Sequence, residues 1–210
     1  MKILISGGAK NGKSIYAQKI SKAMSVEYGV PLYYVATMEP VDEEDENRIK
    51  RHIKERAGWG FTTIEESRKL SKIFDAHVRN TESNRAPENA DMKNVRLESL
   101  SAKEVNLEGV FLVDSLTALL GNNMFGKNGS MNLDCFDEVR DDIYSFSKKA
   151  SNIVLVSDSI GCDGFKFDEV TEKYRMNLAR LEREAASYFD RVVEVSVGQI
   201  LEFKETLYRF

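Results

Sequence analysis

Residues 7–14, GGAKNGKS, carry the pattern G-x-x-x-x-G-K-[ST], whose residue types suit the binding of phosphate groups. Gly7 and Gly12 allow backbone angles that turn successive N–H groups inward, toward phosphate oxygens. Lys13 would place a positive charge on the terminal phosphates, and the Ser14 hydroxyl would ligate Mg²⁺. The remaining predicted contacts in the loop come from Gly8, Ala9, Lys10 and Asn11.

The chain around this loop supplies the context that the pattern requires. An apolar run at 2–6, KILIS, predicts a strand before the loop, and helical spacing of apolar residues over 12–29 predicts a helix after it. The N-terminus of that helix adds its positive dipole end to the loop's donors. A glycine-rich turn can also precede a helix by chance, but the complete motif at the first strand–helix junction favours nucleotide binding.

A second acidic group is expected near the phosphates, at the end of a neighbouring apolar strand. Asp114 ends the run VFLVD within the predicted strand 109–115 and fits that position. It could instead be an ordinary acid at a strand end, or the N-cap of a helix beginning near Leu116. With the phosphate loop present, we favour Asp114 as a second Mg²⁺ ligand beside Ser14.

The stretch RIKRHIKER, residues 48–56, holds one of only two histidines in the chain. In a helix over 42–58, Arg48, His52 and Arg56 are spaced four apart and share one face. One interpretation is a solvated basic helix end with an incidental histidine. In the other, the arginines hold phosphates, lower the pKa of the imidazole, and leave it neutral as a nucleophile toward phosphorus. Spacing alone does not decide between them.

The remaining elements alternate between strands and helices, which predicts an α/β fold with a mostly parallel sheet flanked by helices. The phosphate loop at the first strand–helix junction indicates that this sheet is of the P-loop NTPase type. The last two predicted strands are close enough to form a C-terminal hairpin around Gly198. The further predicted strands are 31–37, 152–158, 191–197 and 199–204, and the further helices are 167–189 and a short one around 67–78.

Domain organisation is predicted to be simple. Residues 1–210 are expected to form a single nucleotide-binding domain, because one core suffices for a chain of this length. The segment 78–108 is polar and has few large apolar residues, so we expect a surface insertion there.

Composition gives no support for several classes of partner. A net charge of −4 gives no reason to expect nucleic acid as a partner. No apolar run approaches the ~20 residues that a membrane span needs. Cys135 and Cys162 show no metal or disulfide spacing, which fits a reducing compartment, and a cytoplasmic location is the expectation.

In their order along the chain, GGAKNGKS, YYVAT, RIKRHIKER, VDSLT and IVLVSD resemble the bifunctional adenosylcobinamide kinase/adenosylcobinamide-phosphate guanylyltransferase family. The phosphate loop is shared with many families, whereas its pairing with Y-V-A-T and R-I-x-x-H at these distances is much more specific. The resemblance implies an enzyme of cobalamin biosynthesis that phosphorylates adenosylcobinamide. It further implies that the enzyme takes GMP from GTP onto a histidine and transfers the GMP to the cobinamide phosphate.

Carried over by position, the resemblance makes His52 the guanylylated residue. GTP, Mg²⁺ and a corrinoid are then the implied ligands, with ATP as an alternative phosphate donor for the kinase step. A homotrimer is also implied. Besides the phosphate loop, the implied nucleotide contacts are Ala36, Thr37, Met38, Ile53, Lys54, Glu55, Arg56, Glu65 and Asp114.

The resemblance is weakest in the C-terminal third. Where the family has N-E-V-G at a strand end, this chain has SDSIG, with Asp158 and Ser159. Such departures leave open an altered acceptor or the loss of one activity. Two other hypotheses also stay open: a P-loop small-molecule kinase without the histidine chemistry, and a catalytically silent nucleotide-binding protein.

Overall fold

The computed structural model describes residues 1–43, 45, 47, 49, 53–54, 56–75, 105–126, 128–160 and 165–205. Within them, seven strands form one sheet in the order β3-β2-β4-β5-β1-β6-β7. Every strand pairing in this sheet is parallel except that of β6 with β7. The strands are β1 (Lys2–Ser6), β2 (Leu32–Ala36), β3 (Thr62–Glu65), β4 (Val110–Asp114), β5 (Asn152–Val156), β6 (Arg191–Ser196) and β7 (Gln199–Glu205).

Helices cover both faces of the central strands. The helices whose two ends are both assigned are α1 (Lys13–Tyr28), α2 (Lys72–Asp75), α3 (Leu116–Met124), α4 (Phe136–Lys149) and α5 (Glu169–Tyr188). Helix α1 packs through Ala17 and Met24 on one face of the sheet. The other face is covered by α3, α4 and α5, which share a second apolar cluster with Phe111 at its centre.

The burial of the strands explains their composition. In β4 and β5, side chains that point to opposite faces are both covered, so nearly every residue is apolar and buried. The parallel pairings and the helices on both faces confirm the α/β class and the mostly parallel sheet predicted from the sequence. Because the strands run parallel, the residues that follow β1, β2, β3, β4 and β5 gather along one edge of the sheet.

The C-terminal hairpin is also confirmed. Val197 and Gly198 connect β6 to β7, with backbone φ angles of 50° and 73°. Two consecutive positive φ angles suit the tight turn whose twist matches that of antiparallel strands.

Several elements differ from their predicted form. Strand β3 and helix α4 were not predicted. Strand β3 is short and only half buried at its sheet edge, so it carries no apolar run. Helix α4 does carry an apolar face, at Phe136, Val139, Ile143 and Phe146, and this spacing was a usable signal.

The predicted helix 42–58 is too long at its C-terminal end. The described residues from Glu43 to Lys54 have helical backbone, but 56–58 form turns. The amide of Trp59 bonds to the carbonyl of Arg56 in a tight turn, and Gly58 takes a φ of 80° that helices do not allow. The helix predicted around 67–78 is the four-residue α2 in its described part.

The polar insertion predicted at 78–108 lies mostly outside the described residues, so it and the single-domain assignment stay predictions. Its last described part is attached to the sheet, because Val105 is buried and the amide of Asn106 donates to the Tyr33 hydroxyl at 2.9 Å. In the described part of the chain, no helix has the length and apolar character needed to cross a membrane.

A buried carboxylate on α4 anchors the segment after β3. Asp142 accepts hydrogen bonds from the amides of Leu70 and Ser71, at 2.6 and 3.1 Å. We expect Asp142→Ala to lower the free energy of unfolding by about 2 kcal/mol, because two buried N–H groups lose their acceptor. Urea unfolding measures this. Asp141→Ala, on the exposed side of the same helix, is the control, and equal midpoints for the two variants would contradict the prediction.

Candidate phosphate loop and adjoining cavity

The phosphate loop is held in shape by contacts with the neighbouring strand β6. A side chain at Gly7 would place its Cβ 2.5 Å from the carbonyl oxygen of Val195 on β6, so only glycine fits there. Asn11 donates to the same carbonyl at 3.2 Å. Gly12 has a φ of 89° and begins α1 without a side-chain cap, and the first turn of α1 has no acidic residue. This leaves the positive end of α1 suited to an anion.

Lys13 lies within this loop and is nearly buried. Its ammonium group donates to the carbonyl of Gly8 at 3.1 Å and pairs with Asp158 Oδ1 at 2.5 Å. Asp158 follows β5, the strand next to β1, whereas the predicted acid Asp114 follows β4, one strand further away. The described carboxylate in contact with the lysine is therefore Asp158.

Asp114 has a different set of neighbours. Its Oδ2 accepts a hydrogen bond from the Tyr34 hydroxyl at 2.8 Å. Helix α3 is capped instead by Ser115, whose side chain accepts from the amide of Ala118 at 3.2 Å. The structure therefore excludes Asp114 as the cap of α3, and its carboxylate lines a large cavity.

Arg56 approaches the same tyrosine from the other side. Its guanidinium carbon lies 3.9 Å from the centroid of the Tyr34 ring, and Nη2 donates to Thr63 Oγ1 at 3.3 Å. Only 8% of Arg56 is exposed. Burial lowers the pKa of Arg56, while the charges of Tyr34 and Asp114 act in the opposite direction. The result is a desolvated, oriented cation at the cavity wall, which is well suited to holding phosphate or a base.

We expect Arg56→Lys to raise the Kd for a nucleoside triphosphate about 10-fold, because lysine keeps the charge but loses the planar fork and the stacking on Tyr34. Titration with non-hydrolysable analogues of ATP and GTP measures the effect. Arg140→Lys, on α4 and outside the cavity lining, is the matched control. A Kd like that of the wild type would show that Arg56 only packs against Tyr34.

The cavity has a volume of about 820 Å³ and lies at the carboxyl ends of β2 to β5. Its walls combine acidic, aromatic and small side chains. The lining residues include Tyr34, Ile49, Arg56, Asp114, Thr117, Asp158 and Tyr174.

Hydrogen bonds between loops keep one wall of this cavity in place. The Asn122 side chain on α3 donates to the carbonyls of Thr37 and Ser67, at 2.7 and 2.8 Å. Glu39 accepts from Ser67 at 2.5 Å and pairs with Arg68 at 3.2 Å. The loops after β2 and β3 are thereby tied to α3.

A magnesium ion fits these residues only in the manner typical of nucleotide sites. In the described ranges, no group of three or more His, Cys, Asp or Glu residues could enclose a metal. Mg²⁺ commonly takes one or two protein oxygens and completes its shell with phosphate and water. Ser14 at the start of α1 and Asp114 at the cavity wall are oxygen donors of that kind.

The structure gathers some of the predicted site residues and leaves others apart. Predicted residues that line the cavity are Ala36, Met38, Arg56, Glu65 and Asp114. Thr37 is buried, and its hydroxyl bonds to the backbone of Ser115 instead. Ile53 and Lys54 are not among the lining residues. Arg48, His52 and Glu55 lie outside the described residues.

Other residues of the site were not predicted from the sequence. Asp158 follows an apolar run just as Asp114 does, so the same strand-end rule could have found it. Tyr174 reaches the cavity from α5, where its hydroxyl donates to the carbonyl of Thr117 at 2.9 Å. Helical spacing in α5 places Tyr174 in line with Leu178 and Leu181 on the face that packs on the sheet, but it does not show that the hydroxyl reaches the cavity.

The loop, the capless start of α1 and the parallel sheet define a P-loop nucleotide-binding protein. A solved structure with this fold is the ATPase domain of G40P. It has a TM-score of 0.50 and 12% identity, and the match covers 99% of this chain and 78% of that chain. The flagellar accessory protein FlaH from Methanocaldococcus jannaschii has a TM-score of 0.46 at 12% identity, covering 97% of this chain and 78% of that chain.

The chain belongs to the cobinamide kinase/cobinamide phosphate guanyltransferase family, whose sequence model matches residues 3–86 and 78–203. A curated relative is the bifunctional adenosylcobalamin biosynthesis protein CobU of Escherichia coli strain K12. It is 22% identical over 208 residues, which are 94% of this chain and 97% of the relative. The low identity fits a divergent member of the family.

Proposed function

We propose that this protein phosphorylates adenosylcobinamide with a nucleoside triphosphate and then transfers GMP from GTP to the phosphate so formed. The observation that carries the proposal is the contact between Lys13 and Asp158. Lys13 belongs to the phosphate loop and Asp158 lines the 820 Å³ cavity, so the contact joins the two places. The chain is a member of the cobinamide kinase/guanyltransferase family, which supports the same chemistry. A triphosphate and an acceptor would thus have adjoining places at one sheet edge.

The kinase step uses the phosphate loop. Backbone N–H groups of residues 7–14 and the start of α1 would bind the triphosphate, with Lys13 on its terminal phosphates. Ser14 and Asp114 would hold Mg²⁺, which when bound neutralises phosphate charge. The hydroxyl-bearing arm of the acceptor would enter the cavity beside Asp158. ATP and GTP are both candidate donors for this step.

The guanylyl step is assigned to His52. A ring nitrogen attacks the α-phosphorus of GTP, pyrophosphate leaves, and a phosphoramidate links GMP to the histidine. A phosphate oxygen of the cobinamide phosphate then attacks the same phosphorus and releases the histidine. Two described residues near His52 in the sequence, Ile49 and Arg56, line the cavity, which supports placing this chemistry at the same site.

Nucleotide contacts outside the phosphate loop are proposed by position. They comprise Ala36, Thr37 and Met38 after β2, Glu65 at the end of β3, and Arg48 and 53–56 around His52. Arg56 is the best supported, because its guanidinium is buried and oriented at the cavity wall.

A homotrimer is proposed from the family resemblance. Light scattering coupled to size-exclusion chromatography tests it directly, since a mass of three chains is expected. A monomer at micromolar concentration would contradict this part of the proposal.

The test of the function uses the wild-type protein with Mg²⁺. Transfer of the γ-phosphate to adenosylcobinamide is expected, as is a covalent label from GTP carrying radioactive phosphorus at the α position. The label should be acid-labile and alkali-stable, as a phosphoramidate is. Kinase activity without the label would reduce the protein to a P-loop small-molecule kinase. If the protein showed neither phosphoryl transfer nor the covalent label, it would be a nucleotide-binding protein only, and the proposal would be overturned.

A further inference from the structure

Asp158 is fixed by its backbone at the junction of the phosphate loop and the cavity. Its amide donates to the hydroxyl of Thr117 on α3 at 2.8 Å. The next amide, that of Ser159, donates to the carbonyl of Gly7 at 2.9 Å. The residue is therefore held from the cavity side and from the loop side at once, and its position does not depend on its own side chain.

The Asp158 carboxylate faces the phosphate loop on one side and the cavity on the other. Its Oδ1 lies 2.5 Å from the ammonium of Lys13, whose side chain is only 8% exposed. The Asp158 side chain itself is 23% exposed, and the residue lines the cavity. A triphosphate that draws Lys13 onto its terminal phosphates would compete for this ion pair. Asp158 would then face the cavity as a carboxylate without its partner.

The other carboxylates that line the cavity are placed differently. Glu39 pairs with Arg68, and Glu66 accepts from backbone amides of its own loop. Asp114 accepts from the Tyr34 hydroxyl. Glu65 ends β3 at the sheet edge. Among the described residues, Asp158 is the lining carboxylate in contact with the lysine of the phosphate loop.

Neighbouring titratable groups on α5 do not offer a better base. Burial, followed by the charge of Asp158, raises the pKa of Tyr174 to about 12. Tyr174 is therefore a protonated donor at neutral pH, and it bonds to the Thr117 carbonyl. Burial also raises the pKa of Glu182, with a smaller contribution from Asp158, while Ser157 acts in the opposite direction. Glu182 does not line the cavity.

We propose that Asp158 is the base that takes the proton from the acceptor hydroxyl in the phosphoryl-transfer step. This inference rests on the proposed kinase step. The acceptor oxygen forms a bond to the γ-phosphorus while the bond from that phosphorus to the β,γ-bridging oxygen breaks. The nucleoside diphosphate leaves with that electron pair. The hydroxyl proton passes to the Asp158 carboxylate and then to water.

A purely positioning role makes different predictions. If Asp158 only oriented Lys13, neutralising it would weaken the binding of every triphosphate and slow both transfers together. A base for the acceptor hydroxyl serves the kinase step alone, since attack by a histidine on GTP needs no acceptor proton. The ratio of kcat to KM effects, and the comparison of the two transfers, therefore separate the roles.

The experiment compares wild type, Asp158→Asn and the exposed control Asp134→Asn, with adenosylcobinamide as acceptor and ATP or GTP as donor. Asp158→Asn should lower the kcat of phosphoryl transfer about 10²- to 10⁴-fold. Its KM for the nucleotide should stay the same or fall, because Lys13 loses a competing partner. Covalent labelling by GTP with radioactive α-phosphorus should persist, which also shows that the variant is folded.

Three results would overturn the inference. The first is a kcat within a few-fold of the wild type. The second is a raised nucleotide KM with equal losses in kinase rate and labelling, which would make Asp158 a positioning residue. The third is an Asp158→Glu variant that is as slow as Asp158→Asn. Glutamate keeps a carboxylate, so this variant should recover much of the phosphoryl-transfer rate. Failure of the proposed function is distinguishable, because the wild type itself would then phosphorylate no adenosylcobinamide.

Discussion

Replacing His52 with alanine is expected to abolish covalent labelling of the protein by GTP that carries radioactive phosphorus at the α position. Alanine has no nitrogen that can attack phosphorus, so no phosphoramidate can form whatever the nucleotide affinity. The chain offers a sharp control, because it has only two histidines. His77→Ala should label like the wild type. Denaturing gels followed by peptide mapping measure the result.

Two further comparisons identify the chemistry behind that label. GTP labelled at the γ position should leave no covalent mark, because pyrophosphate is the leaving group of the proposed step. His52→Ala should still phosphorylate adenosylcobinamide, since the kinase step does not pass through the histidine. Label that survives in His52→Ala but disappears in His77→Ala would move the nucleophile to the other histidine. Label that survives in both would exclude histidine altogether.

Local sequence patterns predicted the central strands well, because each of those strands is buried on both faces. Strand β4 is apolar up to its last residue, Asp114, and β5 is apolar after its first residue, Asn152. Strand β3 escaped prediction because a half-buried edge strand of four residues needs no apolar run. Helix α4 was predictable in principle from its apolar spacing.

The phosphate loop was also predictable, because all of its parts lie within one short stretch of sequence. Gly7 and Gly12 are required by local geometry, one by a close approach to Val195 and the other by a positive φ. The acidic partner of Lys13 was not predictable in the same way. Two strands in the sequence end in or just before an aspartate, and only the order of strands in the sheet places β5, rather than β4, beside β1.

The walls of the cavity depend on contacts between distant parts of the chain. Asn122 and Tyr174 reach the site because α3 and α5 pack on the same sheet face, a fact that no local pattern contains. Arg56 is an intermediate case. Helical spacing predicted a basic residue on the face of His52, but its stacking on Tyr34 follows from the end of the helix before residue 56.

Replacing Lys13 with alanine is expected to lower phosphoryl transfer to adenosylcobinamide about 10²- to 10³-fold or more, because a preorganised cation in a desolvated site is lost. The change has a second cost here. Asp158 lies 2.5 Å from the Lys13 ammonium and would keep its negative charge facing the incoming phosphates. Labelling by GTP should fall as well, since one loop binds the triphosphate for both steps. Steady-state kinase rates and label yield measure the two effects.

The double variant Lys13→Ala/Asp158→Asn tests the electrostatic part of this argument. Removing the carboxylate removes the repulsion, so the double variant should bind a non-hydrolysable triphosphate more tightly than Lys13→Ala alone. Lys19→Ala, exposed on the same helix, controls for the loss of a positive charge. If Lys13→Ala lost kinase activity but kept full labelling, the triphosphate used for guanylylation would bind outside the phosphate loop. The two activities would then have separate nucleotide sites, contrary to the single site proposed for this sheet edge.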